Sequence, residues 1–460
     1  MDITSRLRAI VRSGPQKPAL RELTYEPDVG RYESTLDLDR VSEMLGGIVV
    51  NTAFGRCLSV DRRYESDRWH GEIRISDCEL RVGDGLAVLD PALEIRGRPD
   101  AGQEDVPEGG ASRTLSRTVF IDLETTGLSG GAGTVAFLVG LGFFDLGAFQ
   151  VRQFLLTSHA AERALLAAVS ECFEGVDLLV SYNGKTFDVP MMETRWVFHR
   201  MELPFDGIPH FDMLHPARRL WKLRASASGE PDNGGCRLST LERTLFDVRR
   251  VGDVPGGEIP RRFFHFLRTG DPRPLEPVLE HNRIDLVSLA AVTARAVRLA
   301  EEGVDACRDS NEALALGRVY ERGGDAGRAE RCYRRATGSE IVDVRGEALY
   351  RLGLRYRRAR MFEEAAGVWR ELLAFGDSRP ARGSQIVEDL RRFAAEALAV
   401  HEEHRVRDYF AARELAAFAL EEIGEAGGSP ARRREEGLRH RLARLDQKIS
   451  RGQNLRLTFG

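Results

Sequence analysis

Asp122 and Glu124 stand one residue apart at the end of the apolar run RTVFIDLE. Side chains at i and i+2 of a strand share one face, so these two carboxylates crowd and repel each other. A divalent cation relieves such repulsion, and hard oxygen donors suit magnesium or manganese. Taken alone, the pair also reads as two solvated strand-end acids. Asp188 follows a second apolar run in SYNGKTFDVP, where it is either a helix N-cap or a further ligand. Asp285 lies in the helical stretch HNRID, four residues after His281, so a carboxylate and an imidazole share one helical face. Asp285 by itself reads as a solvated helix residue. Four acids and a histidine arriving in this order are harder to dismiss as separate surface charges.

The elements that must position them are legible from periodicity. Arg117–Glu124 predicts a buried strand, and Thr134–Phe144 and Ala148–Leu156 predict two more, joined by the tight turn DLG and therefore antiparallel. A helix over Ala161–Phe173, a strand over Asp177–Asn183, a helix over Val189–Met201 and a strand over Ile208–Leu214 follow. That order predicts a mixed α/β sheet flanked by helices, with an antiparallel edge beside parallel crossovers. Residues 1–97 read as a small β-rich N-terminal region on the strength of Gly46–Gly55 and Gly71–Ser76. Residues 98–114, rich in Pro, Gly and acids, read as a linker, and 115–300 as the segment that carries the chemistry. Residues 301–460 are all helical by pattern. There, Leu316-Gly317-Arg318-Val319-Tyr320 recurs as Leu352-Gly353-Leu354-Arg355-Tyr356, Ala329 maps to Ala365, and Tyr333 to Trp369. A weaker third copy runs from Leu398 through Ala411 and Ala412. The offset of 36 and the L-G-x-x-Y…A pattern resemble tetratricopeptide (TPR) helix pairs, whose period is about 34.

The ordered motifs D-x-E, N-G-x-x-F-D and H-N-x-x-D resemble the three exonuclease motifs of the DEDD (DnaQ-like) superfamily, built on the ribonuclease H fold. The longer strings FIDLETTGLSGGAGT, SYNGKTFDVP, HPARRLW, RLSTLER, DVPGGEIP and PLEPVLEHNRIDLVSLA are similar to the bacterial YprB-like ribonuclease-H-like family, over residues 117–300. This resemblance implies a ribonuclease-H-like domain with divalent-metal-dependent nuclease activity, of 3′–5′ exonuclease type, using two Mg2+ or Mn2+ ions. Asp122 would bridge both ions, Glu124 and Asp285 would complete one site, and Asp188 would hold the other. His281 would orient the attacking water or take its proton. One departure stands out. The superfamily's histidine usually precedes the last Asp by five residues and a tyrosine by four, whereas His281 is at the four-residue position. One helical residue turns a side chain by about 100°.

On the same reading Thr125, Thr126 and Gly127 offer backbone amides to a terminal nucleotide, or form a plain turn. Asn183 holds a sugar or phosphate oxygen, or closes the turn before Gly184. Lys185, one of only four lysines, is a candidate phosphate contact. Arg218, Arg219 and Arg224 with Trp221 suit single-stranded nucleic acid, or make a solvated basic helix around a buried Trp. Asp212 is a fifth acid near the site, in structural use. GLSGGAGT lacks the G-K-[ST] ending of a phosphate loop.

Composition bounds the rest. The chain has 460 residues, 42% hydrophobic and 30% charged, as in an ordinary globular protein of about three domains. A net charge of −4 excludes nucleic-acid binding by bulk charge but not by a local basic groove. Six scattered cysteines without a CxxC argue against structural zinc and for a reducing compartment. No run approaches the roughly 18 apolar residues of a membrane span, so a cytoplasmic protein is expected. The expected partners are nucleic acid, as a single-stranded end, and a protein partner at the TPR-like repeats. The rival reading is a non-catalytic nucleic-acid-binding or TPR scaffold carrying a nuclease-like domain. Neither DNA nor RNA is selected.

Overall fold

The computed structural model describes residues 36–80, 85–93, 117–127, 133–227, 236–377, 385–421 and 429–458. The expected linker over 98–114, residues 1–35 and most of the glycine-rich turn after Gly127 lie outside them. Leu38–Gly460 form one unit.

In that unit α1 (Leu38–Leu45) leads into β1 (Ile48–Thr52) and β2 (Gly55–Tyr64), then β3 (Trp69–His70), β4 (Ile73–Arg74) and α2 (Gly85–Leu89). The segment expected to carry the chemistry follows as β5 (Thr118–Thr125), β6 (Ala136–Asp145), β7 (Ala148–Leu155), α3 (Glu162–Glu171), β8 (Leu178–Ser181), α4 (Asp188–Phe198) and β9 (His210–Asp212). Helices α5 (Leu214–Ala227), α6 (Leu238–Phe246), α7 (Ile259–Thr269) and the long α8 (Glu276–Glu302) complete it.

One seven-stranded sheet runs in the order β1-β2-β7-β6-β5-β8-β9. β5, β6 and β7 form an antiparallel meander, whose last turn sets Leu146 and Gly147 at φ 50° and 77°, the left-handed pair that a two-residue hairpin needs. β8 and β9 add in parallel to β5 through the crossovers α3 and α4, as parallel strands require. The mixed sheet flanked by helices agrees with the expectation. The strands of 48–64, read from sequence as part of a preceding β-rich region, instead hydrogen-bond through β2 to β7 and extend this same sheet. Alternation in a strand reports that a sheet exists, not which sheet it joins.

α8 packs on β5, β6 and β7, and α3 packs on β1, β2 and β7. The buried Arg195–Glu162 pair ties α4 to α3. Beyond α8 the chain is helical: α9 (Ser310–Arg322), α10 (Ala326–Ala336), α11 (Val342–Arg358), α12 (Phe362–Asp377), α13 (Gln385–His401), α14 (Tyr409–Glu421) and α15 (Ser429–Thr458). The repeat has a packing counterpart. A Cβ on Gly317 would lie 2.6 Å from the Tyr333 ring, and one on Gly353 would lie 2.1 Å from Trp369. In each pair a glycine of the first helix admits an aromatic of the second. One apolar cluster runs from Phe120, Val180 and Leu286 into Leu316, Tyr333, Leu352 and Trp369, so the sheet and the first repeat helices share a core. All six cysteines are buried thiols. Among the described residues no helix is long and apolar enough to cross a membrane.

Candidate active site

The antiparallel register sets Asp122, Gly140 and Gln153 opposite one another in a row across β5, β6 and β7, beneath α8. Gly140 has no side chain, and that gap is filled by Asn282 of α8: a Cβ on Gly140 would lie 2.1 Å from Asn282 Oδ1. Asn282 Nδ2 donates to Asp122 Oδ2 at 2.7 Å and to the Asp122 carbonyl at 3.1 Å. Its Oδ1 accepts from Gln153 Nε2 at 2.7 Å, and the same Nε2 donates to the Leu279 carbonyl at 2.8 Å. Asn282 and Gln153 are fully buried, so water does not compete for the bond between their amides, and Asn282 is held in the orientation that meets Asp122.

Glu124 sits two residues on, where the β5–β6 register shifts. α8 presents His281 and Asp285 beside it, with His281 Nε2 3.3 Å from Asp285 Oδ2 and 3.9 Å from Glu124 Oε1. The four-residue spacing therefore does bring the imidazole to the carboxylates. His281 Nδ1 lies 2.6 Å from Asp253 Oδ1, in the segment after α6. Arg250 anchors that segment. It donates to both oxygens of buried Glu242 at 2.6 and 2.9 Å and to Asp285 Oδ1 at 2.5 Å. Ser288, one helical turn beyond Asp285, donates to Glu242 and meets His70 Nε2 at 2.9 Å.

Asp188 is the first residue of α4, with Phe187 in the N-cap position, so it is not itself the cap. The turn before it is held by Asp212 at the end of β9, whose oxygens accept from the backbone amides of Asn183 at 2.8 Å and Lys185 at 3.1 Å. Gly184 is required here, because a Cβ would lie 2.3 Å from Ser181 Oγ.

Asn183 takes a left-handed φ of 69°, and its side chain accepts from Thr186 at 2.9 Å, closing the turn. Thr125 Oγ1 donates to the Gly127 carbonyl at 3.0 Å, and Thr126 Oγ1 accepts from the Val135 amide at 3.0 Å; both hydroxyls are engaged in the local turn. Lys185 is exposed and pairs with Asp90 at 3.4 Å. α5 encloses a fully buried Trp221 and exposes Arg218 and Arg219. Sequence spacing assigned no role to Arg250, Asp253, Glu242, Gln153 or Asn282. Glu242, Asp253 and Asn282 lie inside strings that carry the family resemblance; Arg250 and Gln153 had no signal.

The electrostatics follow from crowding. Burial raises Asp122 well above the carboxylate range, and Asp285, Glu124 and Asp188 push it further, against the Asn282 hydrogen bond. Burial lifts Glu124 to about 8, with His281 pulling down and Asp285 and Asp188 pushing up. Asp188 rises to about 7 through burial and the nearby Asp212. Burial opposes the charged form of His281, but Asp285, the Asp253 hydrogen bond and Glu124 outweigh it and raise its pKa. Among the described residues no three His, Cys, Asp or Glu side chains close round one point as a finished metal shell does. The donor set nevertheless fits hard dications: Asp122, Glu124, Asp188 and Asp285 are all carboxylates, and added positive charge relieves the penalty that raises Asp122, Glu124 and Asp188.

The RNase_H_2 family, of the RNase_H superfamily, matches residues 119–297. The chain is 31% identical over 352 residues to the uncharacterized protein YprB of Bacillus subtilis (strain 168), covering 75% of this chain and 79% of YprB. Among solved structures, the family B DNA polymerase of the archaeon Pyrobaculum calidifontis aligns at 10% identity and a TM-score of 0.32, over 60% of this chain and half of the polymerase chain.

Proposed function

Because the chain belongs to the family of Bacillus subtilis YprB and carries an RNase H superfamily domain, we propose that it is a divalent-metal-dependent nuclease of the DEDD type. It removes nucleotides from the 3′ end of a nucleic-acid strand in the cytoplasm. One observation carries this reading: Asp122 lies in the fields of Glu124, Asp188 and Asp285 together, although these acids come from a strand and two separate helices. Residues 115–300 form the nuclease domain, and 301–460 a TPR-like array that recruits a protein partner.

Asp122, Glu124, Asp188 and Asp285 would hold two Mg2+ or Mn2+ ions. When bound, such ions stabilise the attacking and leaving oxygens of a phosphodiester and lower the pKa of the attacking water. Asp122 enters with its carboxylate already oriented by Asn282. Asp253, an acceptor, fixes the His281 proton on Nδ1, which leaves Nε2 facing Asp285 and Glu124 as the atom that takes the proton of water. Once those two carboxylates are neutralised, their pull on His281 falls and Nε2 accepts that proton near neutral pH. Arg250 holds Asp285 Oδ1 and, through Glu242, the base of the same segment.

Calorimetry with Mn2+ on wild type and on Asp122→Asn, followed by a 5′-labelled single-stranded oligonucleotide, tests the proposal. About two ions bound by wild type, lost in the variant, and a ladder shrinking from the 3′ end are expected. Internal fragments would make the enzyme an endonuclease. Neither metal binding nor shortening would leave the non-catalytic scaffold.

A further inference from the structure

A chain of net charge −4 carries a connected strip of excess positive charge that begins three residues before Asp188. Its inner end is Lys185, paired with Asp90 at 3.4 Å. Arg219 of α5 lies in the field of that same Asp90 and donates to the Leu89 carbonyl at 2.9 Å. α5 contains no acid along its whole length, Leu214–Ala227, and exposes His215, Arg218, Arg219 and Lys222 on one face.

α5 packs against α9, and Arg219 there feels the charge of exposed Arg322. One turn back on α9, Arg318 bonds to Glu347 of α11. Arg351 bridges Glu347 at 2.7 Å and Glu321 at 2.8 Å, and Glu321 accepts from Arg358, whose side chain is 67% exposed, at 2.9 Å. Among the described residues, Lys185 and these five arginines are set against Asp90, Glu321 and Glu347 along the strip. The carboxylates hold the guanidinium stems in place without cancelling them, a pre-ordered arrangement that lowers the cost of binding an anion. The shared apolar core beneath fixes the spacing between α5, α9 and α11.

We propose that this strip is the track on which the single-stranded body of the substrate lies, upstream of the end held at Asp188. It takes the phosphate backbone and reads no base. The location of the strand's end rests on the nuclease reading; the strip's affinity for nucleic acid does not.

The test uses the full chain carrying Asp122→Asn, so that probes survive. Anisotropy is read with fluorescein-labelled oligo(dT) and oligo(U), each of 30 and of 6 nucleotides, at several salt concentrations. Arg322→Ala with Arg358→Ala, both at exposed positions, is expected to weaken the 30-mers roughly tenfold and to cut the slope of log K against log salt by about 1.4, or 0.7 per charge. The 6-mers bind unchanged. Arg322→Ala alone takes about half of that slope and guards against an effect peculiar to the double variant.

Equal 30-mer affinities and slopes in parent and double variant overturn the track. So does loss of poly-glutamate binding with the 30-mers unaffected, which assigns the strip to an acidic protein partner. Hydrolysis of the 6-mer with Mn2+, on the otherwise native chain, reports separately on the nuclease. A strip that binds without 6-mer turnover refutes catalysis and leaves the track standing, and turnover with no length effect does the reverse.

Discussion

Asn282 donates to Asp122 Oδ2 at 2.7 Å across the strand position where Gly140 leaves no side chain. The acid at the centre of the cluster is thus aimed by an amide from a helix 160 residues away in sequence. Gln153 in turn fixes which end of the Asn282 amide faces Asp122, because its Nε2 can only donate to Oδ1.

Gly140→Ala is expected to displace Asn282, since the new methyl would meet its Oδ1 at 2.1 Å. Outer partners of metal ligands typically contribute ten- to a hundredfold in affinity, so Mn2+ binding should weaken by about that factor. Thermal melts should show a cost of about 1–3 kcal/mol from overpacking. Unchanged Mn2+ affinity would mean that Asn282 has no part in orienting Asp122.

Asp253→Asn keeps an oxygen near His281 Nδ1 but removes the charge. On the proposed mechanism kcat should fall by about ten- to a hundredfold while KM for the oligonucleotide holds, because general-base assistance is worth about 10²–10⁴ in full. Asp253→Ala should fall further. Steady-state kinetics on both variants check this, and a change confined to KM would move Asp253 to substrate binding.

Gly353→Ala tests the helical repeat. Alanine gains about 1 kcal/mol of helix propensity over glycine, yet its methyl would lie 2.1 Å from Trp369 Nε1. Overpacking should win, with a net loss of about 1–2 kcal/mol in denaturant titration. A stabilised variant would show that the two helices can separate freely.

Two histidines are held neutral. Burial and then the charge of Arg250 depress His70 to about 4; burial and then Lys185 depress His210 to about 4, against Asp212. An unfolded chain binds these protons near pH 6.5, so between about 6.5 and 4 it binds more protons than the native state. Their contribution therefore falls as pH drops through that window. His70→Gln should lose less stability than wild type between pH 7 and pH 4.5, by about 1–3 kcal/mol in paired melts. Taking the difference between the two proteins removes the opposite slope of the crowded carboxylates. Parallel pH profiles would show His70 to be protonated in the native state.

The apolar run RTVFIDLE, the turn in SYNGKTFD and the four-residue step from His281 to Asp285 were local signals, and they determined that a strand end, a turn and a helix face would carry these acids. The Leu-Gly-x-x-Tyr pattern recurring at an offset of 36 was legible as a local signal; that Gly317 and Gly353 make room for Tyr333 and Trp369 came only from the packing. Tertiary structure alone decided the rest. Strands β1 and β2 joined the main sheet because strand patterning does not encode its partner. Gln153, Arg250 and Asp253 reached the site because register, chain reversal and packing brought distant residues within 3 Å of one another, and no spacing along a chain records such contacts. Lys185 turned to Asp90, and so toward the strip rather than the acids, because a residue 95 positions earlier, just past the end of α2, placed a carboxylate there.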